Sequence, residues 1–150
     1  MRALLQLDEY WVEHIEVRAS ADGADTPSPH DAVLPRVNCE VFQAPEGAAY
    51  KVDVKLLVSP RMAARGLPYE FRLHLCGVFS FEPDTPQEKQ EYIIHMSGPA
   101  MLYGIARGII AQATALGPHG RYTLPSINFI ELMEREAKKA NKTPNSGDHA

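Results

Sequence analysis

Between residues 49 and 58 apolar and polar side chains alternate with a period of two, broken at Leu57. Tyr50, Val52, Val54, Leu56 and Val58 fall on one side, and Lys51, Asp53 and Lys55 on the other. A β-strand turns successive side chains to opposite faces, so this pattern describes a strand with one buried and one solvated face. Such a strand needs partners along both edges and a cover over its apolar side. The rest of the chain has to supply both.

Three further segments supply the partners. Residues 36–42 set Val37, Cys39 and Val41 against Arg36, Asn38 and Glu40, and stop at Ala44-Pro45-Glu46-Gly47. Residues 69–81 set Tyr69, Phe71, Leu73, Leu75, Gly77, Phe79 and Phe81 against Glu70, Arg72, His74 and Ser80. Residues 5–17 carry Leu5, Leu7, Trp11, Ile15 and Val17 at odd positions, interrupted by Glu9 and Glu13. This reads as a long strand, bent or bulged near Glu9, whose inward-pointing acids guard an edge against aggregation. Half-polar strands of this kind predict an antiparallel sheet, since strands buried on both faces would be apolar throughout. Residues 19–34, with Asp22-Gly23, Pro27 and Pro29, predict a long connection.

The cover comes from the C-terminal half. From Glu88 onward the period changes to that of a helix, with Leu102, Ile105, Ile109, Ala113 and Leu116 in phase and Gly117-Pro118 at its end. Gly98-Pro99 predicts a break or kink within it. After an irregular stretch around Pro125, Asn128 with Glu131 three residues on predicts the start of a second helix. The order is β-β-β-β-α-α, an α+β fold with a four-stranded antiparallel sheet and two helices. Residues 1–140 form one domain in this reading, and the polar residues 141–150 a disordered tail.

Composition closes several routes. The net charge of −4 and pI near 5.8 lack the basic footprint of a nucleic-acid binder. The N-terminal residues lack a signal-peptide core and no run is long enough for a membrane span, so a cytoplasmic protein without membrane insertion is expected. The two cysteines, Cys39 and Cys76, read as small buried hydrophobes, and the six histidines show no metal-ligand spacing. No nucleophile elbow or phosphate-binding glycine loop is present, so neither an enzyme nor a cofactor is expected. The conspicuous feature is apolar surplus. The fourth strand and the glycines at 98, 104 and 108 of the following helix offer more apolar surface than one small core uses, which implies oligomerisation, a groove or both.

Three motifs carry a family resemblance over nearly the whole chain. Gly77-Val78-Phe79-Ser80-Phe81 resembles the end of the fourth strand in the SecB protein-export chaperone family. Pro99-Ala100-Met101-Leu102-Tyr103-Gly104-Ile105-Ala106-Arg107 is similar to that family's proline-led helix, and Leu124-Pro125-Ser126-Ile127-Asn128-Phe129 to the segment before its last helix. The resemblance implies a homotetramer, a dimer of dimers with the long helices at the junction. It further implies a holdase function, in which non-native polypeptides or preproteins lie in grooves. Mapped here, the implied client contacts are Leu34, Leu75, Val78, Phe79, Phe81, Leu102, Tyr103, Ile105 and Phe129. Docking of the export motor SecA falls to an acidic outer sheet face in the family, at positions near Glu16, Glu70 and Arg72 here. Arg72 stands where an acid is expected, which weakens docking of a basic partner. A SecB-like chaperone dedicated to another client, such as an antitoxin, therefore stands beside the export reading. A small oligomeric scaffold or ligand-binding protein whose aromatics are only core is the rival.

Overall fold

The computed structural model describes residues 2–21, 34–45 and 49–142. Strand β1 spans Leu5–Ala19, β2 Arg36–Gln43, β3 Ala49–Val58 and β4 Tyr69–Phe81. Helix α1 is a single turn, Pro60–Ala63, between β3 and β4; α2 runs Gln87–Thr114 and α3 Phe129–Lys142. Every pairing is antiparallel, as the half-polar patterning predicts, and the sheet order is β1-β4-β3-β2. The expected long connection lies mostly outside the described residues, as does all of the expected tail beyond Lys142.

Strand β4 sits between β1 and β3, and its odd-numbered side chains build the core. Leu73, Leu75 and Phe79 are fully enclosed there with Val52, Val54 and Leu56 of β3. Helix α2 covers this face with a stripe at every fourth residue, Gln90, Ile94, Gly98, Leu102, Ala106, Ile110 and Thr114, all buried. Residues four apart lie one above another on a helix, so the stripe is a single ridge laid on the sheet. Two close approaches seat it. A Cβ on Gly77 would stand 2.9 Å from Leu102 Cδ2, and one on Gly98 would stand 3.1 Å from Val52 Cγ2.

Two expectations change. Helix α2 continues through Pro99 instead of breaking, although the proline has no N–H for the carbonyl of His95. Gly98 and Pro99 are both buried against the sheet, and that packing carries the helix across the gap. The turn region also contains α1, whose Ser59 hydroxyl accepts a hydrogen bond from the Met62 amide with Pro60 in the first turn.

The irregular segment between α2 and α3 is strapped back onto α2. Buried Thr114 donates its hydroxyl to the Ile110 carbonyl and accepts from the Tyr122 amide at 2.8 Å. Tyr69 of β4 donates to the Gly120 carbonyl at 2.6 Å, and Leu124 is fully enclosed. Thr114→Val keeps the volume but leaves the Tyr122 amide without its acceptor. An unmet buried donor costs about 1–3 kcal/mol, a loss that denaturant unfolding will read.

Candidate functional site

Strand β1 decides which apolar surface stays open. Its register against β4 slips twice, between Leu7 and Glu9 and between Val12 and His14. Each slip is a bulge, and each reverses which side chains face the core. Before the first bulge Leu5 and Leu7 pair with Phe81 and Phe79 on the helix side of the sheet. Between the bulges Tyr10 and Val12 take that side, opposite Gly77 and Leu75. After the second, Ile15 and Val17 resume it opposite Leu73 and Phe71. The parity reading of Glu9 and Glu13 as inward-pointing acids is thereby corrected. Glu9 pairs with Val78 on the outer face, and Glu13 sits at the second bulge, accepting a 2.7 Å hydrogen bond from the Trp11 indole.

Helix α2 covers β3 and β4 but leaves the middle of β1 bare on the same side. Tyr10, Val12 and Ile15 are 51%, 42% and 45% exposed, a stripe of apolar side chains along an edge strand. The side of α2 away from the sheet is also uncovered. Met101 is exposed, Gly104 and Gly108 face open space, and Ile105 and Ile109, packed against the core, keep part of their surface. Beside it, Met96, Met101, Ile127, Phe129 and Ile130 line an open cavity of about 600 Å³.

Of the contacts implied by the resemblance, the structure commits most to the core. Leu75, Phe79 and Leu102 have no exposed surface, and Tyr103, Phe81 and Phe129 are buried. They sit on the side of the sheet that α2 covers. Leu34 is exposed, Ile105 half-buried, and Val78 half-buried on the opposite, outer face beside Phe42. The implied set therefore divides between a core and two separate surfaces. The β1 stripe was not among the expected contacts; its signal was two apolar residues, Tyr10 and Val12, at the even positions of a strand otherwise apolar at odd ones.

The outer face is charged. Glu16 pairs with Arg72 and Glu70 with Arg18 across β1 and β4, so the three expected docking residues form one patch. The acids there have neighbours able to pair with them, the His14 imidazole at 3.5 Å from Glu16 and the Arg18 guanidinium at 3.7 Å from Glu70. Next to them a recess of about 440 Å³ is lined by His14, Arg36, Lys55, Arg72 and His74. Among the described residues no carboxylate lies within 4.0 Å of the charged groups of Arg36, Lys55 or Arg72. This part of the face is basic.

The three sequence motifs meet on the covered side. Gly77 admits Leu102. Arg107 Nε donates to the Leu124 carbonyl at 3.1 Å, the Tyr103 hydroxyl donates to the Pro125 carbonyl, and the Tyr103 and Phe129 rings meet edge-on at 5.4 Å. Burial pushes the Tyr103 hydroxyl up to about 12, so it remains a donor through the physiological range. Residues 16–140 match the family described as preprotein translocase subunit SecB. The chain belongs to the SecB family. The protein-export protein SecB of Wolbachia pipientis wMel is 27% identical over 90 residues, 59% of this chain and 54% of the relative. That of Ruegeria pomeroyi is 24% identical over 127 residues, 83% of this chain and 73% of the relative. The chain thus spans about half the length of the Wolbachia relatives it matches. Among solved structures it is similar to a SecB-like chaperone of Mycobacterium tuberculosis, solved with a peptide from the HigA1 antitoxin. The TM-score is 0.53 at 15% identity, over 82% of this chain and 90% of that one. The SecB fold is therefore shared, with the four-stranded antiparallel sheet and helices described above. No helix among the described residues is long and apolar enough to cross a membrane.

Proposed function

We propose that this protein is a cytoplasmic holdase that captures non-native polypeptides on the uncovered apolar stripe of β1. The observation that carries this reading is the exposure of Tyr10, Val12 and Ile15 on the side of the sheet that elsewhere is core. Apolar burial is non-directional and contributes roughly 25 cal/mol per Å², so a client needs an extended apolar segment and no defined sequence. An edge strand adds unpaired backbone groups to which such a segment can align. Leu34, Val78 and Ile105, with surface of their own, and Phe129 at the rim of the α2 cavity extend the contacts. The outer side of α2, with Met101, Gly104 and Gly108, is the contact between copies in a homotetramer. The role needs no catalytic group and no cofactor.

The test is aggregation. A slow-folding client diluted from denaturant with stoichiometric protein is expected to scatter markedly less light than client alone. Unchanged scattering would favour an oligomeric scaffold whose aromatics serve only its core.

A client outside the export route is favoured over delivery to SecA, because the outer face presents Arg36, Lys55 and Arg72, none of them with a carboxylate within 4.0 Å among the described residues, where a basic partner would need acids. The antitoxin peptide bound by the Mycobacterium tuberculosis chaperone is a precedent for a dedicated client. Calorimetry with SecA is expected to give no saturable heat at micromolar concentrations. Binding at that level would restore the export role.

A further inference from the structure

Three donor atoms of different chemistry meet on the outer face of β3 and β4. Asp53 of β3 and Cys76 of β4 are direct cross-strand partners, and His74, two residues from Cys76, shares their face. Cys76 Sγ lies 3.5 Å from His74 Nε2, and that nitrogen lies 3.7 Å from Asp53 Oδ2. All three donor atoms fall within 4.8 Å of one another. Zinc bonded at about 2.0–2.3 Å in a tetrahedron sets its ligands about 3.3–3.8 Å apart. The trio stands close to that spacing on adjacent strands of one ladder, where little rearrangement is needed to close on an ion.

A second observation concerns the same carboxylate, whose Oδ2 faces His74 and whose Oδ1 faces Lys51. Asp53 is only 9% exposed, and its Oδ1 has no hydrogen-bond partner. Its cationic neighbour there, the Lys51 ammonium, stands 3.7 Å away on a half-exposed side chain, beyond hydrogen-bond length. A buried carboxylate oxygen left in that condition is costly to the fold, and a neutral residue between Val52 and Val54 would serve the strand better.

We propose that Asp53, His74 and Cys76 bind one divalent transition-metal ion, with zinc the best match to a thiolate, imidazole and carboxylate set. Three protein ligands leave the fourth position to solvent. A thiol binds metal as the thiolate, so the Cys76 proton leaves as the metal arrives. The bound ion ties β3 to β4. It also adds positive charge beside Arg36, Lys55 and Arg72, because His74 lines the cationic recess as well.

The test uses the reduced, metal-free full chain titrated with cobalt under anaerobic conditions and with zinc by calorimetry. Expected are one equivalent bound, a thiolate-to-cobalt charge-transfer band in the near ultraviolet, and about one proton released per ion. Cys76→Ser removes the band and weakens zinc binding by about tenfold or more. His74→Gln, at a partly exposed position, weakens binding similarly while leaving the circular dichroism unchanged, which guards against a folding defect in the cysteine variant. Absence of saturable binding overturns the proposal. So does a band that survives Cys76→Ser, which would assign the metal to Cys39 on the opposite face of the sheet, or affinity unchanged in both variants.

Discussion

Phe79→Ala is expected to lower stability by about 3–5 kcal/mol, a large share of the about 5–15 kcal/mol that holds a domain of this kind together. Phe79 is fully enclosed, its ring lies over Gly77, and it pairs with Leu7 on one side and Tyr50 on the other. No small residue nearby can move in to fill the cavity, because Leu102 already occupies the space above Gly77. Leu102→Ala, in the same contact, is expected to cost about 2–5 kcal/mol. Denaturant unfolding at fixed protomer concentration reads both, since any assembly makes stability depend on concentration. A loss below about 1 kcal/mol for Phe79→Ala would mean that this aromatic is not part of the core.

The second large effect falls on binding. Replacing Tyr10, Val12 and Ile15 together by serine is expected to leave unfolding of the chain nearly unchanged, because these side chains are about half exposed and cover little of the core. Client affinity is expected to fall. Fully burying a side chain of this size contributes about 1.5–3 kcal/mol, so half-exposed ones contribute about 1 kcal/mol each on capture. Together they amount to on the order of 100-fold in affinity for a denatured polypeptide, measured by fluorescence anisotropy. An unchanged affinity would move the client site to the α2 cavity around Met101 and Ile130.

These contrasting expectations mark how far the residues speak for themselves. The alternation of β3 and β4 announces the sheet, and the change of period after Glu88 announces α2, because strand and helix periods are properties of neighbouring residues. The central part of β1 was not legible in the same way. Two bulges each shift the phase by one, so a strand read by parity assigns Glu9 and Trp11 to the core side and Tyr10 to solvent, the reverse of the structure. Alternation also says which residues share a face without saying how much of that face a helix covers. Leu75, Phe79 and Leu102, which the resemblance places among the client contacts, have no exposed surface in the single chain, while Tyr10 and Ile15, which are not among those contacts, are about half exposed. The four-residue α1 carries too short a pattern to stand out from its turn. The convergence of Asp53 on His74 and Cys76 depends on strand register, and only the His74 and Cys76 spacing of two, which shares a face on a strand, hinted at it.

The most direct test of the account is the mass of the protein in solution, with and without a denatured client, by size-exclusion chromatography with light scattering. The account predicts a particle several times the 16.6 kDa of one chain, with the client co-eluting at higher mass. A chain that elutes alone at 16.6 kDa while the client precipitates would contradict it.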